Sequence, residues 1–375
     1  MSFVRTLPEE YPGPTPRHRL NTTSWHDDEW IEEMNMAEGD DWFVNWADFP
    51  SVRLYRDQHD SPGYFAHWLH YSGEGTYDYD IRVLHDSLQT GRVLHTDGVS
   101  AEHGFLSSAQ LPAGGLQVSW LDGRHTKAGA DAGAKPVGEA GNGHGHGSGG
   151  AMTLRTKALH EAESTELDNR VCDCCNTATI ANDSFVMVAY RDRSEHEIRD
   201  ISYVLRYTDD ERWSTPKSVH ADNWKISGCP VNGPALASSG TQNIAIVWYT
   251  APRDRARINF SRYDPVNDRF FPPLVLDDDA PTGRVDLQLA ADGTAYATGL
   301  TAHPHPDSLK LSLWTISPDD VVRRETLAVM SAGRSSGFPK IALYQNSIYW
   351  ARTVTGAAKD DRRVEVCHQA TGREI

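Results

Sequence analysis

A phrase that recurs six times along the chain constrains its fold more than anything else. A polar or special residue leads into a short apolar strand, a turn follows, and a second strand ends in Trp or Tyr. It runs from Asp48-Phe49-Pro50-Ser51-Val52, answered by Tyr64 to Trp68, to Gly337-Phe338-Pro339-Lys340-Ile341, answered by Ile348-Tyr349-Trp350. With Phe49, Gly104, Cys175, Gly233, Val285 and Phe338 as markers, the steps are 55, 71, 58, 52 and 53 residues. The long step holds a Gly/His/Ala-rich stretch, residues 127–150, read as a flexible insertion that includes His144 and His146. Helical periodicity is nearly absent apart from a possible turn near Asp27 to Met36. Repeats of this length, each four short strands, predict an all-β, six-bladed β-propeller over residues 41–375, preceded by an N-terminal extension, residues 1–40. Two β-sandwich domains are the rival, and no linker divides the chain as they would require.

Four of the five cysteines acquire meaning within that frame. Cys172, Cys174 and Cys175 form one cluster, and Cys229 lies 57 residues after Cys172, which is one blade. Residues just ahead of each phrase should ring one mouth of the central channel, and those following each second strand should surround them. The first set gives Asp48, Glu102, His103, the four cysteines, Asn232, Arg284, Asp286 and Ser336. The second gives His70, Asp122, Arg124, Arg191, Asp192, Arg193 and Arg352. Thiolates bind soft or borderline metals, so Cys172, Cys174, Cys175 and Cys229 are candidate ligands for copper, or alternatively zinc, with His103 completing a mixed site. A disulfide between the clusters is the other use of such a pair. In an extended strand Cys172 and Cys174 would point one way and Cys175 the other. Nearby arginines, Arg170, Arg191, Arg193 and Arg199, with Lys225, would favour thiolate. Glu102, Asp122, Arg191 and Asp192 are the candidate catalytic groups. Asp48, Arg124, Arg193, Asn232, Arg284, Asp286 and Arg352 are candidate contacts for a small, anionic substrate. Cys367 stands alone and carries no assigned role.

Composition closes off some classes. A formal net charge of −16 argues against a nucleic-acid partner, which needs a basic face. No apolar run approaches the roughly 18 residues that span a membrane. The start is polar with no signal-peptide pattern, which is the expectation for a cytoplasmic protein or a processed extracytoplasmic one.

Several segments carry a resemblance. Asp168-Asn169-Arg170-Val171-Cys172-Asp173-Cys174-Cys175, Tyr190 to Ser194, Glu197 to Asp200 and Gly228-Cys229-Pro230-Val231-Asn232-Gly233-Pro234 are its specific part. Glu102 to Phe105, Trp120 to Arg124, Gly337 to Pro339 and degenerate Asp boxes such as Tyr207 to Trp213 accompany them. Over residues 40–355 the chain resembles the sialidase-like propeller superfamily, and within it bacterial proteins carrying the exo-α-sialidase label. The resemblance implies a propeller. Sialidase chemistry in that group uses three arginines, a Tyr–Glu nucleophile pair and an Asp acid/base. The first arginine belongs to a Phe/Tyr-Arg-Ile-Pro motif, and the matching position reads Ala47-Asp48-Phe49-Pro50. An aspartate there would repel a carboxylate, which leaves Arg191, Arg284 and Arg352 as a different anion clamp. The first expectation is therefore a metalloprotein, either a copper-dependent enzyme or a copper-handling protein. An exo-α-sialidase-like glycoside hydrolase and a non-catalytic binding propeller with a structural disulfide are the alternatives.

Overall fold

The computed structural model describes residues 1–7, 16–26, 29–31, 33–85, 90–127, 150–356 and 361–372. Each of the six phrases opens a blade. Blade one comprises Ser51–Arg56, Pro62–Tyr71, Tyr79–His85 and Arg92–Val93. Blade two comprises His103–Gln110, Leu116–Asp122, Thr153–Ala158 and Thr165–Asp168. Blade three is Ala178–Ala181, Phe185–Arg191, Ile201–Tyr207 and Lys217–Ser218. Blade four is Ala235–Ser239, Asn243–Thr250, Arg257–Asp264 and Arg269–Phe270, with Leu274–Asp277 pairing back onto its third strand. Blade five is Gly283–Leu289, Ala295–Ala302, Ser308–Ile316 and Val322–Ser331, and blade six is Lys340–Tyr344, Ser347–Thr355 and Arg362–Ala370. All of these strand pairs are antiparallel.

The ring has seven blades rather than six. The seventh is the segment expected to be an extension: Ser2–Thr6, His18–Thr22 and Met34–Gly39 form a three-stranded sheet. Its strands are short, polar and only half-buried, and none ends an apolar run on Trp or Tyr, so the repeating phrase is missing from it. Leu20 of this sheet and Trp42 pack with Ala66 and Trp68 of blade one, and the Trp42 and Trp68 rings stack 5.5 Å apart. The turn expected near Asp27 to Met36 is not helical where described: Glu29–Trp30 pairs with Trp25–His26, and Met34 begins a strand. Residues 27, 28 and 32, and His144 and His146 of the insertion, lie outside the described residues. Among the described residues no helix is long and apolar enough to cross a membrane.

The core sits between blades. Each second strand carries the large side chain that the phrase supplies, and Trp120, Tyr190 and Trp248 are completely buried. Three of the blade boundaries are also held by one side-chain acceptor, about one repeat back in sequence. Asp48 accepts the Phe105 N–H at 2.8 Å, Asn232 accepts the Arg284 N–H at 2.8 Å, and Asp286 accepts the Ile341 N–H at 2.8 Å. Phe105 and Arg284 both have left-handed backbones (φ 54° and 52°), each following a glycine whose added Cβ would collide with the tethering Asp48 or Asn232. Asp48, Asn232 and Asp286, expected to contact a substrate, are thus committed to joining blades. Replacing Asn232 with Ala strands a buried N–H, and we expect it to cost about 1–3 kcal/mol in chemical denaturation. Asn232→Asp, which keeps the acceptor, should cost less.

The two chain ends never share a sheet among the described residues: the N-terminal sheet contains only residues before 40, and the blade-six sheet begins at Lys340. A clasp on one face covers this closure. Trp46 stacks on Phe338 with centroids 5.8 Å apart, and the Arg284 and Arg334 guanidinium carbons lie 4.8 and 5.7 Å from its ring.

Candidate metal centre

The Cys172–Cys175 segment follows the last strand of blade two and precedes the first of blade three. Burying polar backbone here requires partners, and Cys172 donates its N–H to the Arg191 carbonyl at 2.9 Å. The segment turns instead of running extended. The alternation expected for its side chains therefore fails: Cys175 folds back so that its Sγ lies 2.6 Å from that of Cys172. The sulfurs of Cys172, Cys174 and Cys175 all lie within 4.8 Å of one another. Cys229 reaches in from the loop ahead of blade four, its sulfur against that of Cys174, with Cα atoms 6.2 Å apart. Two clusters one repeat apart in sequence therefore form one group in space. Cys172, Cys174 and Cys175 are buried beside Val171, Tyr190, Met152 and Leu154, with Val231 and Phe338 packed on the cluster. Cys367 lies apart, on blade six opposite Trp350 and packed on the cluster that holds Ile341 and Ile348.

Two guanidinium groups supply positive charge. The Arg199 Nη1 lies 3.4 Å from the Cys172 sulfur and 3.5 Å from Asp173. Burial opposes ionisation of Cys172, but the hydrogen bond from Cys175 and then the charge of Arg199 outweigh it and bring its pKa to about 7. Burial and the neighbouring Cys172 push the Cys175 thiol up. Arg193 is bound to Glu197 at 2.8 Å and to Asp173 at 3.1 Å, and Arg199 to Glu197 at 2.9 Å. These arginines compensate charge within the site. Arg191 is 1% exposed and spends its donors on the carbonyls of Asn232, Arg199 and Tyr249 at 2.6–2.8 Å.

Glu102 stands close enough to feel both Asp48 and Cys172. Burial pushes Glu102 up to about 8, against a 2.8 Å hydrogen bond from the Tyr79 hydroxyl; the charges of Asp173, Asp48 and Cys172 add to the rise. Burial likewise lifts Asp48 to about 7. Asp192 is raised to about 6 by burial and by Asp168, and it accepts the Arg193 N–H at 2.6 Å and the Ser202 hydroxyl at 3.1 Å. Of the expected catalytic carboxylates, Glu102 is the one whose pKa Cys172 helps to raise.

Other expectations are relocated. His103, expected beside the sulfurs, belongs to a different group with Asp80, His95, Asp97 and Asp122 at the tops of blades one and two. It is drawn there because it opens the first strand of blade two directly opposite Asp122. Asp122 is completely buried and is gripped by Arg124 at 2.7 and 2.8 Å and by the Trp120 indole at 2.9 Å. Burial works against its ionisation, but Arg124 and His103 outweigh burial and hold it below the usual range. Arg124 is therefore a partner of Asp122 rather than a free substrate contact. The arginines proposed as an anion clamp are spent elsewhere. Arg284 donates to the Gly337 carbonyl at 2.9 Å and lies on Trp46, and Arg352 binds the Val329 carbonyl and Glu365. Asp80, His95 and Asp97 were not among the sequence candidates. Their signal was available, since His95-Thr96-Asp97 immediately precedes the second phrase.

No protein-family model matches the chain, and no curated protein matches it. Among solved structures it is similar to one described as the crystal structure of polysaccharide lyase Uly1, at 10% identity, covering 95% of this chain and 85% of that one with a TM-score of 0.50. At that identity the likeness is one of fold, and it agrees with the seven sheets in assigning the chain to the β-propellers.

Proposed function

We propose that the protein is a thiolate metalloprotein in which Cys172, Cys174, Cys175 and Cys229 hold a copper(I) ion at the channel mouth, with zinc as the alternative occupant. The convergence of four sulfurs, three of them buried and Cys229 partly so, from the loops ahead of two neighbouring blades carries this proposal. Crowded thiolates suit copper(I), a soft ion, better than hard cations. Arg199 offsets the charge of Cys172, so a low-charge ion costs little further compensation. Metal handling is the activity this supports. Copper-dependent turnover of a small anion would use Arg193, whose side chain is 19% exposed at the edge of the site. A second reading, a Cys174–Cys229 bridge stapling blades three and four, is favoured by a Cα separation of 6.2 Å, inside the range disulfides adopt.

The test is elemental analysis of reduced, tag-free protein after loading with copper(I) and removal of excess. One copper per chain is expected, lost in Cys172→Ser combined with Cys229→Ser. Protein that retains no copper or zinc when fully reduced would overturn the proposal. A mass two daltons short of the reduced chain after non-reducing purification would then identify the bridge.

A further inference from the structure

Arg284 and Arg334 bring two positive charges to one aromatic ring of the clasp. Their guanidinium carbons lie 4.8 and 5.7 Å from the Trp46 centroid, and that of Arg284 lies 5.8 Å from the Phe338 centroid. Among the described residues no carboxylate pairs with either arginine. Burial and the charge of Arg334 both push the Arg284 pKa down, and no acid offsets them. The other arginines of this mouth differ: Arg124, Arg193 and Arg199 each bind a carboxylate, and Arg191 is enclosed by carbonyls. Like charges gathered where water is partly excluded are costly until an opposite charge joins them.

The propeller itself does not require a charge there. Arg284 stands where Phe105 stands in blade two: each follows a glycine, has a left-handed backbone and gives its N–H to an acceptor about one repeat back. In blade two an apolar ring fills that place within the core. Arg284 also has donors to spare. Its Nη1 meets the Ser336 hydroxyl at 3.3 Å and the Gly337 carbonyl at 2.9 Å, whereas Nε and Nη2 find no protein acceptor among the described residues and are not sealed from solvent. Arg334 is exposed, and its guanidinium makes no hydrogen bond among the described residues.

We propose that Arg284 and Arg334, beside the Trp46 ring, form a binding site for a doubly charged tetrahedral oxyanion, phosphate or sulfate, either free or as a monoester. Each guanidinium presents a planar fork that takes two oxygens of such a group. A carboxylate carries one charge and two oxygens, enough for one fork. A dianion with three or four oxygens serves both forks and cancels both charges. Trp46 and Phe338 also pack on the cluster that contains Cys172, Cys174 and Cys175, so the oxyanion binds on the same mouth as the sulfurs. No cysteine is a ligand in this site, and its occupancy does not depend on a metal.

Calorimetric titration of metal-free protein at about pH 8, with inorganic phosphate, inorganic sulfate, methyl phosphate and acetate, tests the site. Saturable binding of phosphate or sulfate at one site per chain is expected, at least tenfold tighter than acetate. Tighter binding of methyl phosphate than of inorganic phosphate assigns the ligand as an ester, and the reverse assigns it as the free ion. Arg334→Gln should weaken binding at least tenfold, the loss of one charge-assisted pair, and Arg284→Met at least as much. Arg212→Gln, which removes a guanidinium whose side chain is 88% exposed in blade three, should leave the affinity unchanged. Absence of saturable binding of either dianion, acetate binding as tightly, or wild-type affinity in Arg334→Gln would each overturn the site. Arg334 is exposed, and a circular-dichroism spectrum matching wild type shows that lost binding in its variant is not loss of fold.

Discussion

Arg191→Ala should lower the unfolding free energy by about 4 kcal/mol, the largest single-residue loss expected in this chain. The side chain is completely enclosed and ties three separate segments together. It ends the second strand of blade three, and its donors reach Asn232 ahead of blade four, Tyr249 within blade four, and Arg199 in the loop of its own blade. Truncation leaves three carbonyls without donors, opens a cavity, and removes the guanidinium that lies 4.8 Å from the Trp224 ring. Arg191→Lys should recover only part of the loss, because one ammonium cannot span three acceptors that a planar fork reaches together. Guanidinium chloride denaturation of the three proteins measures this. A loss under about 1 kcal/mol for Arg191→Ala would mean the three contacts do not hold the seam.

Metal-free protein should lose stability on going from pH 5 to pH 8, by on the order of 3 kcal/mol. Most acidic groups that matter to folding act the other way. Here burial raises Asp48 to about 7 and Glu102 to about 8, whereas in the unfolded chain both titrate near 4. Between those limits the folded state keeps protons that the unfolded state has released, so stability is fully present below pH 4 and falls as pH climbs through the folded values. The charge of Asp48 is part of what raises Glu102, so the two contributions overlap and do not simply add. Asp48→Asn keeps an acceptor for the Phe105 N–H, and Glu102→Gln keeps one for the Tyr79 hydroxyl. Each should flatten the profile, and the double variant should be nearly level. Denaturation at pH 5 and pH 8 decides it, and a wild-type profile that rises over this interval would contradict the burial argument.

The propeller was legible because blade spacing is written into side chains. Trp68, Trp120, Tyr190, Trp248 and Trp350 each lie in a second strand, and packing between blades needs that bulk at a fixed place. The N-terminal blade escaped because it buries little and has no such side chain. The meeting of Cys172, Cys174 and Cys175 with Cys229 was legible for the same reason, as equivalent points on neighbouring blades. What those residues do once assembled was less so. Asp48, Asn232 and Asp286 look like rim groups in sequence, but a hydrogen bond to the next blade's backbone is a tertiary fact that no local pattern encodes. His103 was found and given the wrong neighbours, since its partners Asp80 and Asp97 come from the third strand of blade one and the loop after that blade, outside the repeating phrase.

The closure of the ring has a consequence for how the molecule can open. In propellers whose last sheet mixes strands from both termini, a backbone ladder locks the circle, and opening must break it. Here the N-terminal sheet and the blade-six sheet share no strand among the described residues, and the Trp46 clasp joins the segment ahead of blade one to Phe338 at the start of blade six. The circle can therefore part along one radial line with all seven sheets intact, like a bracelet at its catch. The proposed thiolate site lies away from that line, where the loops ahead of blades three and four meet, and a bound ion there would tie together neighbouring blades that share no strand.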